Sequence, residues 1–213
     1  MSSVPMVMQS MYIRSIAELP PHVTYDQYLK IRDIVAKYWD RKNMTEERVK
    51  LKDRDTLFIT MLWELGGRVS DICNLPMKNI NLQQRKITMF VQKRKKTFEI
   101  PISSDLALDI SVFKERYRVQ DKKPLFEFGR KNAWYLIRRY SKKAGIENIH
   151  PHMFRHGLAI HLLNNEVPIP VISARLCHAN VFVTMQHYMK ITPEMQRGFL
   201  DKVKLREDVI DVE

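Results

Sequence analysis

The sequence predicts a mainly α protein carrying a small three-stranded antiparallel β-sheet, and three observations point that way. Apolar residues recur at helical spacing over most of the chain, from Tyr28 through Tyr140 and beyond. One stretch alone, Ile80 to Ile102, alternates with a period of two. The 213 residues are 45% hydrophobic, enough for a proper core, yet the longest apolar run, Leu57 to Trp63, is too short to span a bilayer.

Taken in order, residues 1–23 read as a flexible lead-in, because they lack the charged start and long apolar core of a signal peptide. Thr24 with Gln27 forms a capping-box pattern, and Tyr28, Ile31, Ile34, Val35 and Tyr38 follow as a helical stripe. Arg41 to Lys52 is expected as a charged linker. The next helix is expected from near Asp53, is apolar on most faces through LFITMLWEL and therefore central, and stops at Gly66-Gly67. Val69, Ile72 and Leu75 mark a short helix closed before Pro76.

Three strands follow, on Ile80 and Leu82, on Ile87, Met89 and Val91, and on Phe98, Ile100 and Ile102, with a basic turn from Gln92 to Lys96. Helical spacing returns at Leu106, Ile110, Phe113 and Tyr117, and again from Trp134 to Ala144 with Gly145 as the stop. Lys131, Arg138 and Lys142 lie on that second helix as a separate basic stripe. Further helices are expected over Pro151 to Asn165, Pro170 to Cys177, Val181 to Met189 and Pro193 to Leu205, before an acidic tail.

A formal charge of +12 suggests a polyanionic partner. Two cysteines, Cys73 and Cys177, provide neither a disulfide framework nor a four-ligand zinc site, and they suit a reducing, cytoplasmic compartment. His152 and His156 have the spacing of a zinc-binding helix, but Met153 stands where its glutamate is needed, so no metal is expected. His156, His161 and His187 read as packing or surface residues, and Cys177 as a small buried thiol.

What remains is a set of groups suited to attack on a phosphodiester without a metal. His152 and Arg155 share one helix face, and Arg68 follows a helix stop, where its side chain can reach outward. Two planar guanidiniums can neutralise the charge that builds on the non-bridging oxygens of a phosphate under attack. Tyr188 is the candidate nucleophile; a phenol with a reference pKa of about 10 needs activation, for which His152 is the placed base. His178 can donate to a phosphate oxygen. A lysine of the basic turn, Lys93, Lys95 or Lys96, can protonate the leaving 5′-oxygen.

Arg68 in GGRVSD, His152 and Arg155 in HMFRH, His178 in LCH and Tyr188 in TMQHY resemble, in order and spacing, the catalytic pattern of the tyrosine recombinase (phage integrase) family. The resemblance covers residues 24–190. It implies that family's catalytic-domain fold and site-specific cleavage and rejoining of double-stranded DNA through a 3′-phosphotyrosyl intermediate, with no cofactor. It also implies a tetramer in the active synapse, with residues 191–213, a helix and an acidic tail, docking on a neighbouring subunit.

In the family the catalytic lysine stands eight residues before the proline that ends the following strand. Counting back from Pro101 gives Lys93. Asp71 falls where the family carries a supporting carboxylate. Arg94, Lys95 and Lys96 with Lys131, Arg138 and Lys142 are then expected to touch DNA. The sequence departs from the family pattern in five respects: Leu65-Gly66-Gly67-Arg68 stands where Thr-Gly-Leu-Arg is common, Phe154 stands for a preferred leucine, Cys177 replaces a usual glycine, Gly157 stands where serine or threonine is common, and the hairpin lacks its usual glycines. The resemblance leaves no room for the separate N-terminal helical domain of typical members. The expectation is a minimal catalytic-domain form, which Met1 favours, or a fragment. A type IB topoisomerase-like enzyme and a non-catalytic DNA-binding regulator on the same fold are the alternatives.

Overall fold

The computed structural model describes residues 19–39, 45–189 and 197. Helix α1 (Tyr25–Trp39) opens with the expected box: Thr24 N–H donates to Gln27 Oε1 at 3.0 Å and Gln27 N–H to Thr24 Oγ1 at 3.2 Å. Its buried face, Tyr28, Ile31 and Val35, packs on α2 (Glu46–Leu65). Helix α2 starts earlier than Asp53, so most of the expected linker is helix. Thr45 caps the Arg48 amide, and Glu46 and Glu47 sit at the positive helix end. In these first turns Glu46 to Arg48 are exposed and Val49 to Arg54 only partly buried, and their mostly charged residues give no apolar period to mark a helix in the sequence.

From Leu57 to Trp63 every residue of α2 is buried, making it the central helix. Gly66 ends it with φ +56, and a Cβ there would stand 2.7 Å from Leu158 and 2.8 Å from Leu176. Helix α3 (Val69–Cys73) follows at once, with Arg68 as its extended N-cap.

The sheet has the order β1 (Ile80–Asn81), β2 (Lys86–Val91), β3 (Lys96–Pro101), antiparallel throughout. Ile87, Met89 and Val91 face the core from β2, and Ile100 from β3. The expected basic turn is a single 3-10 turn over Gln92–Arg94 with Lys95 in the left-handed region, so Lys96 already belongs to β3. Helices α4 (Ser104–Tyr117), α5 (Arg130–Lys143), α6 (Pro151–Asn164), α7 (Ile169–Arg175) and α8 (Val181–Tyr188) complete the described chain.

One apolar core joins α1 to α5, the sheet and the start of α6. Within it the Tyr140 hydroxyl donates to Asp55 Oδ2 at 2.6 Å and accepts from Trp39 Nε1 at 2.8 Å. A second, smaller core gathers Leu158, Ala159, Ile160 and Leu163 of α6, Ile172 and Leu176, and Tyr188 of α8. The helix expected over Pro193 to Leu205, apart from Arg197, and the acidic tail lie outside the described residues. Among the described residues no helix is long and apolar enough to cross a membrane.

Candidate active site

The ends of two helices build this site. Arg155, on α6, is only 7% exposed, and no carboxylate is hydrogen-bonded to it among the described residues. Its Nη1 instead donates to the Gly66 carbonyl and its Nη2 to the Leu176 carbonyl, each at 2.6 Å. Those carbonyls cap α2 and α7, where helix dipoles leave partial negative charge, so the buried guanidinium is compensated by backbone. Burial, with Arg68 nearby, lowers Arg155 to about 10, which leaves it charged at neutral pH. A guanidinium has five N–H donors. Among the described residues the others meet no hydrogen-bond acceptor.

Arg68 stands beside it, three-quarters buried, with Nη1 3.9 Å from Asp71 Oδ2. Burial raises the Asp71 carboxyl, while the backbone amide of Gln92 and then Arg68 and Arg155 pull it back. Asp71 Oδ1 is buried without a hydrogen-bond partner among the described residues. A third arginine serves the scaffold: Arg175 Nη2 donates to the Glu64 carbonyl at 2.6 Å and Nη1 to the Pro101 carbonyl, tying α7 to α2 and β3.

His178 follows the end of α7. Cys177 N–H donates to Ala174 O and His178 N–H to Ser173 O, both at 3.0 Å, the two bonds of a Schellman cap. That cap requires a left-handed residue, and Cys177 supplies it with φ +51. The cysteine thus occupies a glycine's backbone conformation, which accounts for the family's usual residue there. His178 Nδ1 lies 2.7 Å from the Oγ1 of fully buried Thr184. Burial, then Arg155, pushes the imidazole down to about 3, so it is neutral. In the tautomer whose Nδ1 accepts from the Thr184 hydroxyl, Nε2 carries the proton and can act as a donor.

Tyr188 ends α8 at 1% exposure, its ring in the smaller core. Its hydroxyl lies 2.7 Å from Nδ1 of His156, not of His152. Sequence reasoning passed over His156 as a packing residue; its place one turn after His152 on the same face was the available signal. Burial raises the phenol to about 12, against the pull of Arg155, and burial lowers His156 to about 4. So weak a base does not take the proton of so reluctant a phenol. In this arrangement the phenol keeps its proton.

His152 is exposed and lines a cleft of about 580 Å³ with Val69, Arg130, Lys131, Trp134 and Tyr135. Lys131, Arg138 and Lys142 are exposed along α5, with the Arg138 guanidinium 5.2 Å from the Trp134 ring. Lys95 and Lys96 are exposed at the hairpin. Arg94 is half-buried and turned inward: its Nη1 donates to the carbonyls of Cys177 at 3.2 Å and His178 at 2.6 Å. The backbone of Lys93 lies in the 3-10 turn, and its side chain lies outside the described residues. Among the described residues no group of three or more His, Cys, Asp or Glu is arranged to hold a metal.

Comparison with known proteins places this geometry. The phage integrase family model matches residues 26–195. Tyrosine recombinase XerA of Pyrococcus horikoshii is 35% identical over 187 residues, covering 79% of this chain and 64% of its own, so the chain spans just under two thirds of that relative's length. Among solved structures, XerA recombinase superposes with a TM-score of 0.65 at 21% identity, over 91% of this chain and 67% of that one. XerH site-specific recombinase bound to its difH substrate before cleavage gives 0.64 at 19% identity, over 80% of this chain and 50% of that one. Both likenesses are of fold. By the family match across most of its length, this chain belongs to the phage integrase family.

Proposed function

We propose that the chain is the catalytic domain of a site-specific DNA recombinase that cuts and rejoins strands through Tyr188. The observation that carries this reading is the convergence of Arg155, Arg68 and His178 on the joined ends of α2 and α7, with the Tyr188 phenol buried close enough to feel the Arg155 charge. A scaffold of that kind does not need a buried arginine with unused donors. An oxyanion does. The DNA-bound XerH neighbour supports duplex DNA as the partner.

In this mechanism the Tyr188 oxygen attacks phosphorus, the bond from phosphorus to the 5′-oxygen breaks, and a 3′-phosphotyrosyl ester forms. Arg155 and Arg68 neutralise the non-bridging oxygens, and His178 donates from Nε2. His152, exposed beside the cleft, acts in proton transfer, and Lys93 protonates the departing 5′-oxygen. An incoming 5′-hydroxyl then attacks the ester and releases the tyrosine. At 1% exposure Tyr188 does not reach a DNA backbone, so α8 must first carry it away from His156 and towards Arg155. Synapsis would use further copies of the chain, with residues beyond Ile191 docking on a neighbour. Deletion from Thr192 onward should spare DNA binding and impair strand exchange.

The test is covalent trapping on nicked duplexes tiled across the DNA flanking the gene, comparing wild type with Tyr188→Phe under denaturing electrophoresis. A protein–DNA adduct that needs Tyr188 is the expected result. Site-independent relaxation of supercoiled plasmid would replace this reading with the topoisomerase-like one. Salt-sensitive binding without any adduct would replace it with a non-catalytic DNA-binding protein.

A further inference from the structure

Three consecutive carbonyls at the end of α7 are each held by an arginine from elsewhere in the chain. Arg155 takes Leu176, and Arg94 takes Cys177 and His178. Arg94 comes from the β2–β3 turn, more than eighty residues earlier in sequence. Its guanidinium also lies 4.9 Å from the Phe98 ring on the outgoing strand, which fixes the direction in which the fork points. The contact therefore fastens the tip of the hairpin to the loop that carries His178.

On the other side of the turn the Gln92 amide lies near the Asp71 carboxyl and favours its charged form, and Arg68 Nη1 stands 3.9 Å from Asp71 Oδ2. Lys93 is the residue between Gln92 and Arg94. With Lys95 left-handed at φ +48, the turn is tight, so the hold on Arg94 bears on the orientation of the whole turn. Lys95 and Lys96, the next residues of the hairpin, are exposed, whereas Arg94 is half-buried with Nη1 on protein oxygens.

We propose that Arg94 is a positioning residue, which clasps the β2–β3 turn to the His178 loop and so holds the turn carrying Lys93 at the scissile phosphate. The inference rests on the recombinase reading and names how that site keeps its general acid in place. It separates Arg94 from the DNA-contacting lysines on either side. The negative end of α7 makes the clasp strong, because partial negative charge on the last carbonyls attracts a guanidinium.

The experiment uses the duplex that traps an adduct, in two versions differing only in the leaving atom, oxygen or a 5′-bridging sulfur. A thiolate departs without being protonated, so the sulfur substrate does not need a general acid. Arg94→Ala should slow adduct formation on the oxygen substrate at least about tenfold, a part of what general acid catalysis contributes. On the sulfur substrate it should stay within about twofold of wild type, as Lys93→Ala should. The double variant should be no slower than Lys93→Ala alone. Phe98→Leu, which removes only the ring beneath the guanidinium, should show the same pattern more weakly and guards against a folding failure of Arg94→Ala.

Equal slowing on both substrates would overturn the proposal, as would a fall of about one in the salt slope of DNA binding, the mark of one phosphate no longer neutralised. Hydrogen exchange of the unliganded protein provides an arm that needs no catalysis. Arg94→Ala should speed exchange at residues 92–96 and 177–180 together, and an unchanged pattern there would overturn the clasp. A wild type that forms no adduct would remove the recombinase reading, and the exchange result would still decide the clasp.

Discussion

His156 and His178 are both held neutral by burial, and this has a consequence that is measurable without DNA. Their folded values, about 4 and about 3, lie below the unfolded value of about 6.5. Between those limits the unfolded chain binds more protons than the folded one, so stability rises with pH. The contribution is fully present above about pH 6.5 and is lost as pH falls towards the folded values. Urea midpoints measured from pH 7.5 down to 4.5 should therefore fall steeply, and the double variant His156→Asn, His178→Asn should flatten that slope. Parallel curves for the two proteins would show that neither imidazole is held neutral. The same burial makes Tyr188 a poor nucleophile where it rests, which is why the proposed chemistry requires α8 to move.

At the scale of elements, the cap of α7 and the entry to α1 explain two of the departures from the family pattern. Cys177 adopts a left-handed conformation that costs a non-glycine residue roughly 1–2 kcal/mol. Cys177→Gly should relieve that strain and lose a buried thiol, leaving stability within about 1 kcal/mol of wild type. Cys177→Val, β-branched in the same conformation, should lose more than about 2 kcal/mol in chemical denaturation.

Gly157 answers to a different constraint. Residue Val23 runs against α6, its amide donating to the Met153 carbonyl at 3.0 Å. A Cβ on Gly157 would stand 2.0 Å from the Val23 carbonyl oxygen and 2.9 Å from Trp63. In most helix positions alanine stabilises over glycine by roughly 1 kcal/mol. Here Gly157→Ala should instead destabilise by about 1–3 kcal/mol through overpacking and displace the segment before α1. Proteolysis near residue 20 should accelerate in that variant.

For the whole molecule, the formal charge of +12 is not spread evenly in its uses. Arg155, Arg175 and Arg94 are turned to backbone carbonyls, while Lys131, Arg138 and Lys142 stay exposed along α5. Binding to duplex DNA should weaken steeply with salt. Replacing those three by alanine should lower the magnitude of the log–log slope by roughly 0.9 for each phosphate left without its cation. An unchanged slope would place the DNA on another face.

Local patterns determined much of this protein by themselves. The capping box at Thr24, the glycine stop at Gly66, the period-two stretch over the sheet and the spacing of Arg68, Arg155, His178 and Tyr188 depend on neighbours a few residues apart or on a family order, and both are written along the chain. Tertiary structure alone decided the partners. Nothing near Arg155 in sequence announces that its charge rests on the ends of α2 and α7, or that His156 meets the Tyr188 hydroxyl. Nor does a run of basic residues show which one turns inward, as Arg94 does to meet carbonyls some eighty residues away. These are contacts between backbone groups and side chains brought together by packing, and backbone carbonyls carry no sequence signature.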